Sequence, residues 1–188
     1  MTQLSHYIEL KAIPQTDMLQ SDVISYCMQK LHQFLPHFSG RIGIAFPAYG
    51  LGRTLGGIIR LFGNQEDCRT LKNQLTQHEL QDYILISDVF DSPQTNSYRC
   101  YSRIHRKGQS ALRRAEKRLT EQNRWHEDIR QEILHKQHTK QYFPHIHLTS
   151  ASTKQKFVLA IKMRSFSTPH SGEFNAYGLS KTATVPHF

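Results

Sequence analysis

Two groups of residues in this chain have the chemistry for a reaction on a polyanion. One is a histidine in KLHQF (30–34). His32 falls at the edge of the apolar stripe of a helix-like segment, so it can be half buried and still reach a cleft. A free imidazole titrates near pH 6.5, which suits proton transfer near neutrality. By itself such a position also fits an ordinary structural histidine. The other group lies in SALRRAEKRLTEQ (110–122). At about 100° per residue, Arg113, Arg114, Lys117 and Arg118 share an arc roughly 140° wide, opposite Ala111, Leu112, Ala115 and Leu119. An ordinary solvated face would mix in acids at i,i+4 for a few tenths of a kcal/mol per pair. This ridge accepts like-charge repulsion that an external anion would relieve, although a solubilising face is the plainer reading of the stretch alone.

The surrounding charge favours a polyanion. Net charge is +9 over 188 residues, and a basic surface draws nucleic acid, anionic membrane or acidic protein. Arg99, Arg103, Arg106, Lys107, Arg113, Arg114, Lys117 and Arg118 crowd into one segment with a single acid, Glu116. Arginine's planar fork can bond a guanine edge or a phosphate bidentately. The alanines on the opposite arc suit packing on protein better than a membrane surface. The major groove of undistorted A-form RNA excludes a helix except near ends and bulges, while that of B-DNA is open. Charge and helix shape therefore leave RNA and DNA both open.

Metal and disulfide chemistry find less support. Among twelve histidines, His135 and His138 are three apart, and His145 and His147 share one face of a strand. Neither pair has a carboxylate or thiolate at a ligand spacing such as H-E-x-x-H, so no metal or cofactor is expected. Cys27, Cys68 and Cys100 are odd in number and widely spaced, which fits a reducing compartment. No apolar run approaches the ~20 residues of a membrane span. MTQLSHYIELKAI lacks the signature of a signal peptide, so a cytoplasmic protein is expected.

The elements that must position these residues follow from periodicity. HYIELKAI (6–13) alternates as a strand. Thr16 or Ser21 can cap the next helix, whose stripe is Ile24, Cys27, Met28, Leu31 and Leu35, with Pro36 as its stop. RIGIAF (41–46) and IIRLFG (58–63) are strands around a Gly-rich, flexible 47–57. Residues 65–81 are predicted helical and YILISDVF (83–90) a fourth strand. The order β-α-β-β-α-β is that of the ferredoxin-like split βαβ unit. The expected fold class is α+β: a ferredoxin-like domain over 1–92, a polar junction at 91–97, and a smaller mixed α/β domain over 98–188. The second domain would hold extended 98–106, the basic helix (about 108–122), a helix near 124–137, and extended 145–150, 156–163, 174–179 and the terminal TVPHF.

FNAYGLSKTATVPHF closes the chain and HLTSASTKQKFVLAI precedes it. With KLHQ, RIGIAFP, and Y-R-x-x-S-R-x-x-x-K leading into the Arg-rich helix, the whole chain resembles, in the same order, the CRISPR-associated endoribonuclease of type I-F systems. That family cuts the long repeat-spacer transcript into guide RNAs. The resemblance implies a ferredoxin-like N-terminal half and a smaller C-terminal half that binds an RNA hairpin. It implies that His32, Ser150 and Tyr177 are catalytic, matching the histidine of K-L-H-Q, the serine of the S-x-S-T turn and the tyrosine of Y-G-L-S-K. It implies RNA contacts by Arg103, His105, Lys107, Arg113, Arg114, Lys117 and Arg118, with Phe157 stacking on the last base pair of the stem and Ser152 near the scissile phosphate. The sequence departs from the family pattern at His105, where glutamine is usual; histidine offers one bond in place of a bidentate amide.

The implied activity is metal-independent cleavage at the 3′ foot of the repeat hairpin. The RNA's own 2′-hydroxyl attacks and leaves a 2′,3′-cyclic phosphate, which excludes DNA as a substrate. The implied partners are CRISPR repeat hairpin RNA, kept after cleavage, and other type I-F Cas subunits of the interference complex, with no membrane. The alternatives are a hairpin-binding subunit that no longer cuts, a DNA-binding regulator, and an assembly adaptor.

Overall fold

A computed structural model describes residues 4–104, 109–131, 142–150 and 153–188, with the backbone alone at 109–112 and 115. The chain divides into two compact units. One joins Met1–Ile104 with Phe143–Phe188; the other is His105–Tyr142.

The first unit contains two antiparallel sheets. Strands β1 (His6–Ala12), β2 (Gly43–Ala45), β3 (Ile58–Gly63) and β4 (Ile84–Ile86) take the order β2-β3-β1-β4, and β5 (Phe90–Asp91) also pairs with β1. Helices α1 (Gln20–Phe34) and α2 (Gln65–Thr76) fall between β1 and β2 and between β3 and β4. This order is compatible with the ferredoxin-like, α+β reading. Alternation in β1 sends Ile8 and Leu10 into a core shared with Val23, Ile24, Cys27, Met28 and Leu31 of α1 and with Cys68, Leu71 and Leu75 of α2. Their spacing in the helices is the 3.6-residue period of a buried stripe.

Several boundaries differ from those read in the sequence. The N-cap of α1 is Leu19, without a side-chain bond, so neither Thr16 nor Ser21 caps it. Helix α2 ends at Thr76, and a separate 3-10 turn covers Glu79–Asp82. The expected strand 83–90 is split into β4 and β5. At the break Ser87 Oγ accepts from Glu9 N–H at 2.9 Å, where a strand would offer a carbonyl. Residues 41–42 precede β2 rather than opening it.

The second sheet has the order β7-β8-β6-β9: β6 (Tyr98–Ile104), β7 (His145–Thr149), β8 (Lys156–Phe166) and β9 (Val185–Pro186). Its inner face carries Tyr101, Ile146, Leu148, Leu159 and Ile161, all buried. Two tyrosines tie it to the segment after β2: Tyr101 donates to the Phe46 carbonyl at 3.1 Å and Tyr49 to the Ile161 carbonyl at 2.8 Å.

The second unit contains α3 (Gln109–Glu121) and a further helical stretch at 127–131. Arg113, Arg114, Lys117 and Arg118 are exposed. Among the described residues no helix is long and apolar enough to cross a membrane.

Candidate active site

His32 sits in the last turn of α1, one residue past buried Leu31. The apolar stripe fixes the helix on its sheet, and His32, at the stripe's edge, is half buried. Its Nδ1 lies 3.0 Å from the carbonyl oxygen of Ala176. A carbonyl only accepts, so Nδ1 carries the hydrogen and Nε2 of the neutral ring keeps its lone pair. Tyr177 stacks on the imidazole with 4.0 Å between ring centroids and 4° between planes. Together the hydrogen bond and the stack fix the tautomer and the plane of the ring.

Residues 174–179 were expected to be extended and are instead a tight turn organised by Asn175. Its Oδ1 accepts from the backbone N–H of Tyr177 at 2.8 Å and of Leu179 at 3.2 Å. Its N–H donates to Leu179 O, and Gly178 N–H returns to Asn175 O, both at 2.8 Å. An asparagine side chain that satisfies the backbone locally competes with strand pairing. Gly178 has φ +71°, and a Cβ there would come within 3.0 Å of Ile44 Cβ. Only glycine suits both the left-handed backbone and that close approach. The Gly178 carbonyl accepts from Ile44 N–H at 2.9 Å, which anchors the turn to β2. The turn thereby delivers the Ala176 carbonyl and the Tyr177 ring to one histidine.

Arg103 and Phe157 belong to the same surroundings. Strand pairing sets Arg103 opposite Ile161 and Phe157 opposite Leu148, so both lie on the inner face of the second sheet. The Arg103 guanidinium lies over the Phe157 ring, 5.4 Å from its centroid. Burial pushes the Tyr177 hydroxyl above its ordinary value, and the nearby charge of Arg103 opposes that rise. Arg103 Nε is shielded from solvent and has no hydrogen-bond partner among the described residues. A shielded, unsatisfied donor of this kind is costly unless something accepts from it.

Ser150 follows β7 at the foot of the β7–β8 hairpin. Its N–H donates to Gln155 O and its carbonyl accepts from Lys154 N–H, both at 2.9 Å. Its Oγ accepts from Thr153 N–H at 3.2 Å. One residue earlier the strand is held by α1: Gln29 Nε2 donates to Thr149 O at 2.7 Å, and Thr149 N–H donates to Gln29 Oε1 at 2.9 Å. Gln29 carries no motif that marks it in the sequence. Its position three residues before His32, on the same helical face, is the one signal that could have singled it out.

Residues 7–188 match the family described as CRISPR-associated protein (Cas_Csy4). The chain belongs to the Cas_Csy4 family. It is also similar to two proteins named CRISPR-associated endonuclease Cas6/Csy4. One, from Escherichia coli (strain UTI89 / UPEC), is 30% identical over 191 residues, covering 98% of this chain and 100% of the relative. The other, from Pseudomonas aeruginosa (strain UCBPP-PA14), is 30% identical over 189 residues with the same coverage.

In this Cas_Csy4 member the described residues bring His32, Tyr177, Arg103 and Phe157 into one neighbourhood, and Gln29 links the helix of His32 to the strand end beside Ser150. Arg113, Arg114, Lys117 and Arg118 lie in the other compact unit. His105, Lys107 and Ser152 fall outside the described residues, as do His135 and His138. His145 and His147 meet edge to face at 5.5 Å. Among the described residues no three His, Cys, Asp or Glu side chains gather as a metal site.

Proposed function

We propose that this Cas_Csy4 protein is a metal-independent endoribonuclease that cleaves CRISPR precursor RNA at the 3′ foot of the repeat hairpin and keeps the hairpin it has cut. The observation that carries the reading is the fixed imidazole of His32. A histidine whose Nδ1–H is held by a carbonyl, and whose ring is held by a stacked tyrosine, presents Nε2 as a proton acceptor in one direction. The two relatives, each named a CRISPR-associated endonuclease, support an endonuclease activity.

The reaction needs only the RNA and this chain. Nε2 of His32 takes the proton of the 2′-hydroxyl. The 2′-oxygen bonds to phosphorus, and the bond from phosphorus to the 5′-oxygen breaks. The leaving 5′-oxygen takes up one proton in place of the one the 2′-hydroxyl gave up, so the products are a 2′,3′-cyclic phosphate and a 5′-hydroxyl with no net proton change. Ser150 holds the 2′-hydroxyl or ribose in line, a positioning contribution. Tyr177 acts by stacking on His32 and keeping its ring in plane. Phe157 offers an aromatic face for the last base pair of the stem, and Arg103, whose Nε has no partner among the described residues, offers a fork for a guanine edge or phosphate. His105 and Lys107 are further RNA contacts in this reading, and Ser152 acts near the scissile phosphate. Arg113, Arg114, Lys117 and Arg118 bind phosphates along the stem, a salt-dependent contribution to affinity.

The domain reading that goes with this function is a ferredoxin-like domain over 1–92 and an RNA-hairpin-binding domain over 98–188. The protein would work in the cytoplasm, and after cleavage it would stay on the guide RNA among other type I-F Cas subunits. The deciding experiment incubates a hairpin repeat RNA from the host locus with the protein in EDTA. A second sample carries one 2′-deoxy nucleotide at the 3′ foot of the stem. Cleavage of the first RNA and tight binding without cleavage of the second is the expected result. Tight binding of both without cleavage of either would leave a hairpin-binding subunit that does not cut.

A further inference from the structure

We propose that Gln29 is a positioning residue that sets the placement of Ser150 relative to His32. The role rests on the reaction assigned to those two residues above. Among the described residues strand β7 is the outer strand of its sheet, and on its open side no described strand pairs with its peptide groups. At Thr149 a side-chain amide takes that place. Gln29 Nε2 donates to Thr149 O at 2.7 Å, and Gln29 Oε1 accepts from Thr149 N–H at 2.9 Å. Two parallel bonds to one residue fix both distance and orientation, where a single bond would leave a hinge. Gln29 and His32 are three residues apart on α1 and so share a face one turn apart. Thr149 and Ser150 are adjacent in the chain. The clamp therefore ties the turn that carries the proton acceptor to the strand end that carries the hydroxyl.

Within the hairpin Ser150 is also held by Gln155 O, Lys154 N–H and Thr153 N–H. These bonds shape the turn but do not relate it to α1. His32 is fixed from elsewhere, by Ala176 and Tyr177. A displacement of the β7 end by about 1 Å would leave each group intact and their mutual geometry wrong, and such errors cost up to about 10²-fold in rate.

The test uses the full-length protein and single-turnover cleavage of the hairpin repeat RNA. Affinity is measured with the 2′-deoxy hairpin and folding by thermal melting. Gln29→Ala is expected to slow cleavage by roughly 10- to 100-fold while affinity and melting temperature stay close to wild type. In a Ser150→Ala background the same substitution is expected to cost little more, because a residue that acts through Ser150 has nothing left to place. Gln29→Glu keeps the size of the side chain. Its carboxylate cannot donate to Thr149 O, but its protonated form can. The ratio of its rate to the wild-type rate is therefore expected to rise as pH falls from about 7.5 towards 5, as the carboxyl takes up a proton.

A purely structural clamp would instead lower affinity and melting temperature together with rate. It would multiply with Ser150→Ala, and either result overturns the role. Wild-type cleavage by Gln29→Ala, with slow cleavage by His32→Ala and Ser150→Ala, overturns the role of Gln29 alone. Wild-type cleavage by His32→Ala or Ser150→Ala overturns the assigned reaction, and this role with it.

Discussion

The surroundings of His32 and the basic face of α3 are built in opposite ways. Around His32 each side chain is held by a segment distant in the chain: Ala176 and Tyr177 hold the imidazole, Thr149 holds Gln29, and Phe157 underlies Arg103. On α3 the cations Arg113, Arg114, Lys117 and Arg118 are exposed, and their alignment follows from helical period alone. Proton transfer requires one geometry, so it needs a packed frame. Phosphate binding needs charge density along a groove, which a regular helix provides whatever it is attached to. Substitutions should therefore separate rate from affinity, region by region.

His32→Ala gives the largest expected effect. Single-turnover cleavage should fall about 10²- to 10⁴-fold, with binding of a 2′-deoxy hairpin nearly unchanged. An equal loss of affinity would erase the contrast between the two regions. Next in size, alanine at Arg113, Arg114, Lys117 and Arg118 together should weaken binding and flatten the plot of log affinity against log salt by roughly three units. Cleavage at saturating RNA should stay near wild type; a slow saturated rate would show that α3 also shapes the reacting geometry.

Tyr177 sharpens the comparison further. Tyr177→Phe keeps the stacked ring and should retain most of the rate, while Tyr177→Ala removes the stack, worth about 0.5–1.5 kcal/mol for an aromatic pair, and should lose about tenfold. If Tyr177→Phe is as slow as Tyr177→Ala, the hydroxyl and not the stack is what the site uses. The smallest expected effect comes from the frame itself. Burial pushes the thiols of Cys27 and Cys68 up to about 12. The unfolded chain releases these protons from near pH 8.5, so between there and about 12 it binds fewer protons than the folded chain. Stability should thus fall as pH rises through that window, and denaturant melts should show Cys27→Ala/Cys68→Ala losing less stability with pH than wild type.

Much of the frame was legible before the structure. The stripe on α1, the alternation in β1 and the run IIRLFG each carry a single period over several residues, and β3 covers the expected 58–63. Shorter elements were less legible because one side chain can redirect them. Ser87 interrupts the strand read over 83–90 by offering its hydroxyl to Glu9. Asn175 turns FNAYGL into a loop by satisfying two backbone donors itself. Such local bonds leave no periodic trace. The basic ridge could be read directly from residue types, and His32 could be placed at the edge of a stripe, but nothing in KLHQF names the partner of its Nδ1.

The sequence by itself determined the periodic and electrostatic parts of this protein: which helix faces are apolar, where cations concentrate, and the order of the long elements. These depend on neighbours within a few residues, where helix and strand geometry fix who faces whom. Tertiary structure alone decided which atom of His32 is left to take a proton, and that an amide at Gln29 would reach across to the strand end beside Ser150. Those contacts join residues more than a hundred positions apart, and their bonds of about 3 Å exist only once the core has set the distances between the elements that carry them.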